Sequence, residues 1–121
     1  MTAAPLAAAC SRPLAALRAT SLENQFHAWR GRSGRRYICS VHPLDGAPVF
    51  DCGRAVVAAV REAPAGTEIA CVFQPDDGEF APWAQRARRC GASALHVHLL
   101  AETPEARADA AADLRPAPLA I

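Results

Sequence analysis

The chain has 121 residues, enough for one domain with a single core and too few for a comfortable two-domain division. All thirteen basic residues are Arg and none is Lys; against twelve acidic residues they leave a formal net charge of +1, which argues against a general polyanion binder. A Lys-free chain rich in Ala and Pro has the look of GC-rich bacterial coding, so Arg also does the ordinary solvating work that Lys shares elsewhere, and any basic function must be local.

Residues 1–22 read as an Ala/Pro-rich N-terminal arm. The stretch from Leu6 to Cys10 has the outline of a lipoprotein cleavage box, and Arg12 and Arg18 ahead of Glu23 have that of a transit peptide. Both readings fail, because no charge precedes the apolar stretch and Pro5 interrupts it. Nothing approaches the roughly 20 apolar residues that span a bilayer. The arm is expected to be ancillary, helical from Pro13 toward Asn24 with Leu14, Leu17 and Leu22 turned inward.

A core domain is expected over residues 23–101. It opens with a β-hairpin in which Phe26 to Arg30 and Arg36 to Val41 flank the tip Arg32-Ser33-Gly34-Arg35, where Gly34 supplies the positive φ of a tight reversal. Alternation places Tyr37, Cys39 and Val41 on one face of the second strand and Ile38, Ser40 and His42 on the other. Residues 42–48, with two prolines and a glycine, read as a loop. A first helix is predicted from Asp51 or Cys52 to Ala63, with Asp51 as N-cap and Cys52, Val56, Val60 and Ala63 as its apolar stripe. Ala63-Pro64-Ala65-Gly66 ends it.

Glu68 to Phe73 reads as a strand, with Ile69, Cys71 and Phe73 on one face and Ala70 and Val72 on the other. A second helix is predicted from Ala81 to Cys90 on the stripe Phe80, Trp83, Ala84, Ala87 and Cys90, with Gly91 just past its end. A last strand follows over Ala94 to Ala101, parallel to the preceding one if the pair forms a βαβ unit. Residues 102–121 read as a short helix begun by Thr103, Pro104 and Glu105, with Leu114 as its only large apolar residue, and a Pro-rich tail. These elements predict an α/β domain, with α+β as the alternative: two layers, a mixed sheet of about four strands in the order β-β-α-β-α-β, and weakly ordered ends.

Four constellations carry possible chemistry. Trp29-Arg30-Gly31-Arg32-Ser33-Gly34-Arg35-Arg36-Tyr37 packs four guanidiniums between two aromatics, a pattern suited to an anion held by Arg30, Arg32, Arg35 and Arg36 with Trp29 and Tyr37 as anchors. Its bland alternative is a solvated hairpin whose charges discourage edge-to-edge pairing. His96 and His98 share one face of a strand, about 7 Å apart, and can chelate a metal if His27, His42, Asp76 or Asp77 supplies a third ligand. Otherwise they are two histidines on a half-polar strand, and no other cofactor is implied. Asp76, Asp77 and Glu79 form an acidic loop that could hold Mg²⁺ or pair with the hairpin, although turn and capping chemistry explains each residue.

The five cysteines include no CxxC pair, so neither a disulfide framework nor a zinc ribbon is indicated. Cys39, Cys52, Cys71 and Cys90 fall in apolar stripes, as inert core thiols do. No GxSxG, GxGxxG, Walker or HExxH motif is present. The expected protein is therefore cytoplasmic and reduced, with no membrane attachment. Its expected role is a non-enzymatic binding or regulatory module that presents the Arg hairpin to an acidic protein surface, a nucleotide or a nucleic-acid backbone. An accessory structural subunit or homo-oligomer is the alternative, and a small metal-dependent enzyme centred on His96 and His98 the third reading.

Overall fold

The computed structural model describes residues 10–13, 25–45 and 47–116. In chain order these form β1 (Cys10–Pro13), β2 (Phe26–Arg30), β3 (Arg36–Pro43), β4 (Val56–Ala63), β5 (Gly66–Phe73), α1 (Phe80–Arg89), β6 (Ala94–His98) and α2 (Pro104–Leu114). Cys10–Pro13 thus adds a strand within the expected arm, while the helix expected over Leu14, Leu17 and Leu22 lies outside the described residues. The strands form one sheet in the order β1-β2-β3-β6-β4-β5, and every pairing is antiparallel. Its outermost strands, β1 and β5, come into contact, so the sheet is curled. The domain is α+β with an antiparallel sheet, rather than α/β with a mixed one.

The largest departure from expectation is β4, predicted as a helix. All five residues from Val56 to Val60 are buried, with Val56, Ala58 and Val60 packed on one face of the sheet and Val57 and Ala59 on the other. A strand covered on both sides reads as a continuous apolar run, and a run of that length fits a helical stripe equally well. The Val-rich composition decides for the strand. Asp51, expected as an N-cap, instead accepts the Gly53 amide at 2.9 Å. The same carboxylate chemistry closes a turn rather than starting a helix. Pro64 and Ala65, expected to end that helix, form a two-residue β4–β5 turn between paired Ala63 and Gly66, the latter at φ 124°.

A register shift between Ala59 and Val60 also reassigns the faces of β5. Ile69 joins Val72 on one face while Cys71 and Phe73 occupy the other, because a bulge carries one strand past its partner by a residue. The insertion of β6 between β3 and β4 separates β5 from β6. They run in the same direction, both antiparallel to β4, but they are not neighbours as the expected βαβ unit requires. β6 ends at His98 rather than continuing to Ala101.

The two helices cover opposite faces, so the domain has three layers instead of two. α1 packs Trp83 and Ala87 over Val57, Ala59, Phe73, Leu95 and Val97, with Phe80 and Ala84 partly buried beside them. Cys90, expected in that stripe, is exposed at the C-cap. α2 packs Ala110, Ala111 and Leu114 against Trp29, Tyr37, Val56 and Val60. Small alanines let this helix approach the sheet closely, so it is well anchored despite having one large apolar residue. Thr103 caps it by accepting the Ala106 amide at 3.0 Å.

Candidate partner-binding surface

The β2–β3 hairpin forms as the sequence predicts, with Trp29 opposite Tyr37 and Arg30 opposite Arg36. Gly34 takes φ 90° and its amide donates to Gly31 O at 3.0 Å, closing the tip. Neither aromatic stands beside the arginines on the surface. Trp29 is fully buried and Tyr37 is 5% exposed, both in the core beneath α2. They support the hairpin from within and cannot anchor an external ligand.

The end of α2 meets the hairpin tip through Asp113. Its carboxylate accepts from the Ser33 amide at 2.8 Å, the Ser33 hydroxyl at 2.6 Å and the Tyr37 hydroxyl at 2.7 Å. Partial burial acts to raise the Asp113 pKa, but the bonds from Ser33 and Tyr37 and the nearby Arg35 charge hold it below the usual carboxylate range. Burial, followed by the Asp113 bond and charge, pushes the Tyr37 phenol up to about 12. Gly31 makes the arrangement possible. A Cβ at this position would lie 2.9 Å from Asp113 Oδ1 and closer still to Oδ2 and Cγ.

These contacts divide the four arginines in two. Arg32 donates through Nε at 3.2 Å, and through a terminal guanidinium nitrogen, to the Arg115 carbonyl just beyond α2. Arg35 lies on the same side and acts electrostatically on Tyr37 and Asp113. This half of the cluster therefore holds an internal anion and a helix end. Arg30 and Arg36 face the other way, exposed and directly opposite one another, with no ion pair among the described residues.

Among the described residues, the face that Arg30 and Arg36 share is open. α1 covers it over β4, β5 and β6 but leaves Phe26, Ile38, Ser40, Leu99 and Leu100 around a shallow depression of about 220 Å³ that reaches down to buried Val97. Leu100 is 68% exposed, and Ile38 and Leu99 are exposed as well. Asp51, Arg54 and Glu102 line an adjoining depression that shares Leu99. The sequence marks Ile38 as lying on the face opposite Tyr37, yet it does not reveal this surface. Recognising it requires knowing that β6 lies next to β3 and that α1, which covers Leu95 and Val97 of β6, leaves Ile38 and the residues just beyond β6 exposed.

The histidines occupy two different environments. His96 and His98 share a face of β6 as expected, both buried. His96 Nδ1 accepts from the Trp29 indole at 2.8 Å, which leaves its ring proton on Nε2, and its ring lies 4.6 Å from that of His27. Burial, and secondarily His27, lowers the His96 pKa to about 4. His98 Nδ1 donates to the Ile38 carbonyl at 2.9 Å. His42 is on the opposite face, bonded to Ser40 at 2.8 Å and against Phe50. Among the described residues no group of three or more His, Cys, Asp or Glu is placed to hold a metal ion.

Asp77, in the acidic loop, accepts the Gln74 amide at 3.0 Å and pairs with Arg115 at 3.1 Å. It therefore acts as a cap and a tether for the chain beyond α2. Cys39 is buried, and its thiol is pushed up to about 12 by desolvation. Burial also raises Cys52 and Cys71. No described helix is long and apolar enough to cross a membrane. No family model matches the sequence, and no curated protein or solved structure matches the chain.

Proposed function

We propose that this chain is a non-enzymatic partner-binding module whose contact surface is the open face of β2 and β3 together with Leu99 and Leu100 just beyond β6. In this reading Arg30 and Arg36 recognise acidic groups, while Phe26, Ile38, Leu99 and Leu100 supply apolar contact. The observation that carries it is the Arg30–Arg36 pair. Like charges directly opposite across two strands are locally unfavourable, and this pair is exposed beside uncovered apolar side chains. Edge protection does not account for Arg30, whose outer side is paired with Cys10 of β1, whereas Arg36 lies on β3 beyond the residues that pair with β6.

The partner class follows from charge and shape. Two available arginines on a chain of net charge +1 make a poor tracker of a nucleic-acid backbone, which calls for an extended basic surface. A mixed apolar and cationic patch suits an acidic protein surface. The metal-dependent reading draws no support from His96 and His98, whose Nδ1 atoms are engaged by Trp29 and Ile38. The test is a calorimetric titration with a short synthetic peptide of glutamates and leucines. R30E/R36E should weaken binding about tenfold or more, as expected for loss of two charge-assisted contacts, while R86E on exposed α1 should leave it unchanged. Equal affinity of R30E/R36E and the parent chain would refute the proposal.

A further inference from the structure

The chain itself has the features of a partner for the open face. The apolar depression holds about 220 Å³, below the roughly 300 Å³ at which small-molecule sites begin, so it suits an inserted side chain better than a free ligand. Val49 is such a side chain. It is 82% exposed, in the segment before β4 whose next residue, Phe50, packs against His42 and Phe80 on this same face of the sheet. Val49 is thus an exposed apolar side chain in a segment that packs through Phe50 on the same face as the hollow.

The charges are arranged in the same complementary way. Arg30 and Arg36 lie toward the β2–β3 side of the hollow, with two positive charges. Asp51 and Glu102 line the adjoining depression that shares Leu99, together with Arg54, so that flank has a net charge of −1. A two-fold axis in the plane of contact and parallel to the strands brings the Arg flank of each copy onto the acidic flank of the other. Both contacts form at once, since a two-fold interface uses the same patch twice. A chain of net charge +1 has little long-range repulsion to oppose this association.

Resting on the reading of the open face as a contact surface, we infer that its acidic partner is a second copy of this chain, with Val49 of each copy seated among Phe26, Ile38, Leu99 and Leu100 of the other. Sedimentation velocity over a wide concentration range tests this. The parent chain should show the mass of two chains. V49E and L100E, changed at exposed positions that leave the monomer fold intact, should show the mass of one. R30E/R36E and D51N/E102R should each dissociate at least tenfold more readily; D51N keeps a side-chain oxygen to accept the Gly53 amide, so the turn survives. Mixing these two variants should restore the dimer, because both contacts then regain opposite charges. A parent chain that stays monomeric at the highest concentration, or a dimer indifferent to V49E and R30E/R36E, would overturn the inference. If a monomeric parent still binds the glutamate–leucine peptide through Arg30 and Arg36, the partner-binding role stands with another protein as partner. If it binds neither, both readings fall.

Discussion

Gly31 and Asp113 give a prediction in which one substitution changes sign with its background. Removing the carboxylate in D113A strips the Tyr37 hydroxyl of its acceptor and releases Ser33 to solvent. The Ser33 contacts are exposed and replaceable by water, so the part-buried Tyr37 bond dominates, and a loss of about 2 kcal/mol is expected. For a chain of this size that lowers Tm by about 8 °C. G31A places a methyl where the carboxylate sits and must expel it, so it should cost about 1–2 kcal/mol in the parent chain. In D113A the three atoms nearest that methyl are gone. Gly31 does not have a positive φ, so alanine there should be neutral or stabilising by up to about 0.5 kcal/mol through the unfolded state. Urea unfolding followed by Trp fluorescence on the four members of this cycle measures the coupling. Simple additivity, with G31A equally costly in both backgrounds, would refute the account of how the hairpin grips α2.

His96 sets the acid sensitivity of the fold. Its folded pKa of about 4 lies below the ordinary 6.5, so the unfolded state takes up the proton first. The stability contributed is therefore complete above pH 6.5 and is lost as pH falls from 6.5 to 4, by about 3 kcal/mol. His27 and His42, also lowered by burial, act in the same direction. H96N, which keeps an acceptor for Trp29, should flatten this slope in urea melts at pH 7 and pH 4.5; an unchanged slope would exclude His96 as its source. Thiol labelling under native conditions should modify exposed Cys90 rapidly and Cys39 only on unfolding, as mass spectrometry of the tryptic peptides would report. R36E should stabilise the domain by about 0.5 kcal/mol, by turning a facing like-charge pair into an opposite one, while weakening peptide binding. A destabilised R36E variant that binds normally would contradict the role given to the pair.

What is legible in the sequence is whatever local chemistry determines. The hairpin tip, α1 and its end, the Thr103 cap and the strands ending at Phe73 and starting at Ala94 follow from turn residues, caps and period. β4 does not, because a strand buried on both faces loses the alternation that would mark it. One misassigned element then displaces the rest: without β4 in the sheet, β5 and β6 look like neighbours, and the order that sets the exposed residues of β3 beside the end of β6 cannot be seen. The Arg cluster stands out at once, but its division does not. Alternation already places Arg30 and Arg36 on the face opposite Trp29 and Tyr37. What the sequence does not encode locally is an acidic residue 76 positions beyond Tyr37 that occupies the other two arginines' side of the tip.

That division connects structure to the proposed role. A buried polar group must find a partner, so Trp29 and Tyr37 draw His96 and Asp113 to their face of the hairpin, and α2 comes with Asp113. Once α2, Arg32 and Arg35 are committed there, the hairpin is held rigid from one side. The opposite face then presents Arg30 and Arg36 on two paired strands, with β1 holding the outer side at Arg30, and with little freedom to lose on binding. Two arginines pre-organised this way contribute more to a contact than four on a mobile loop, because less rotational and backbone entropy is given up when the partner arrives. Hairpin chemistry that reads in the sequence as one anion site is therefore better understood as two surfaces of one element, one committed to folding and the other left for recognition.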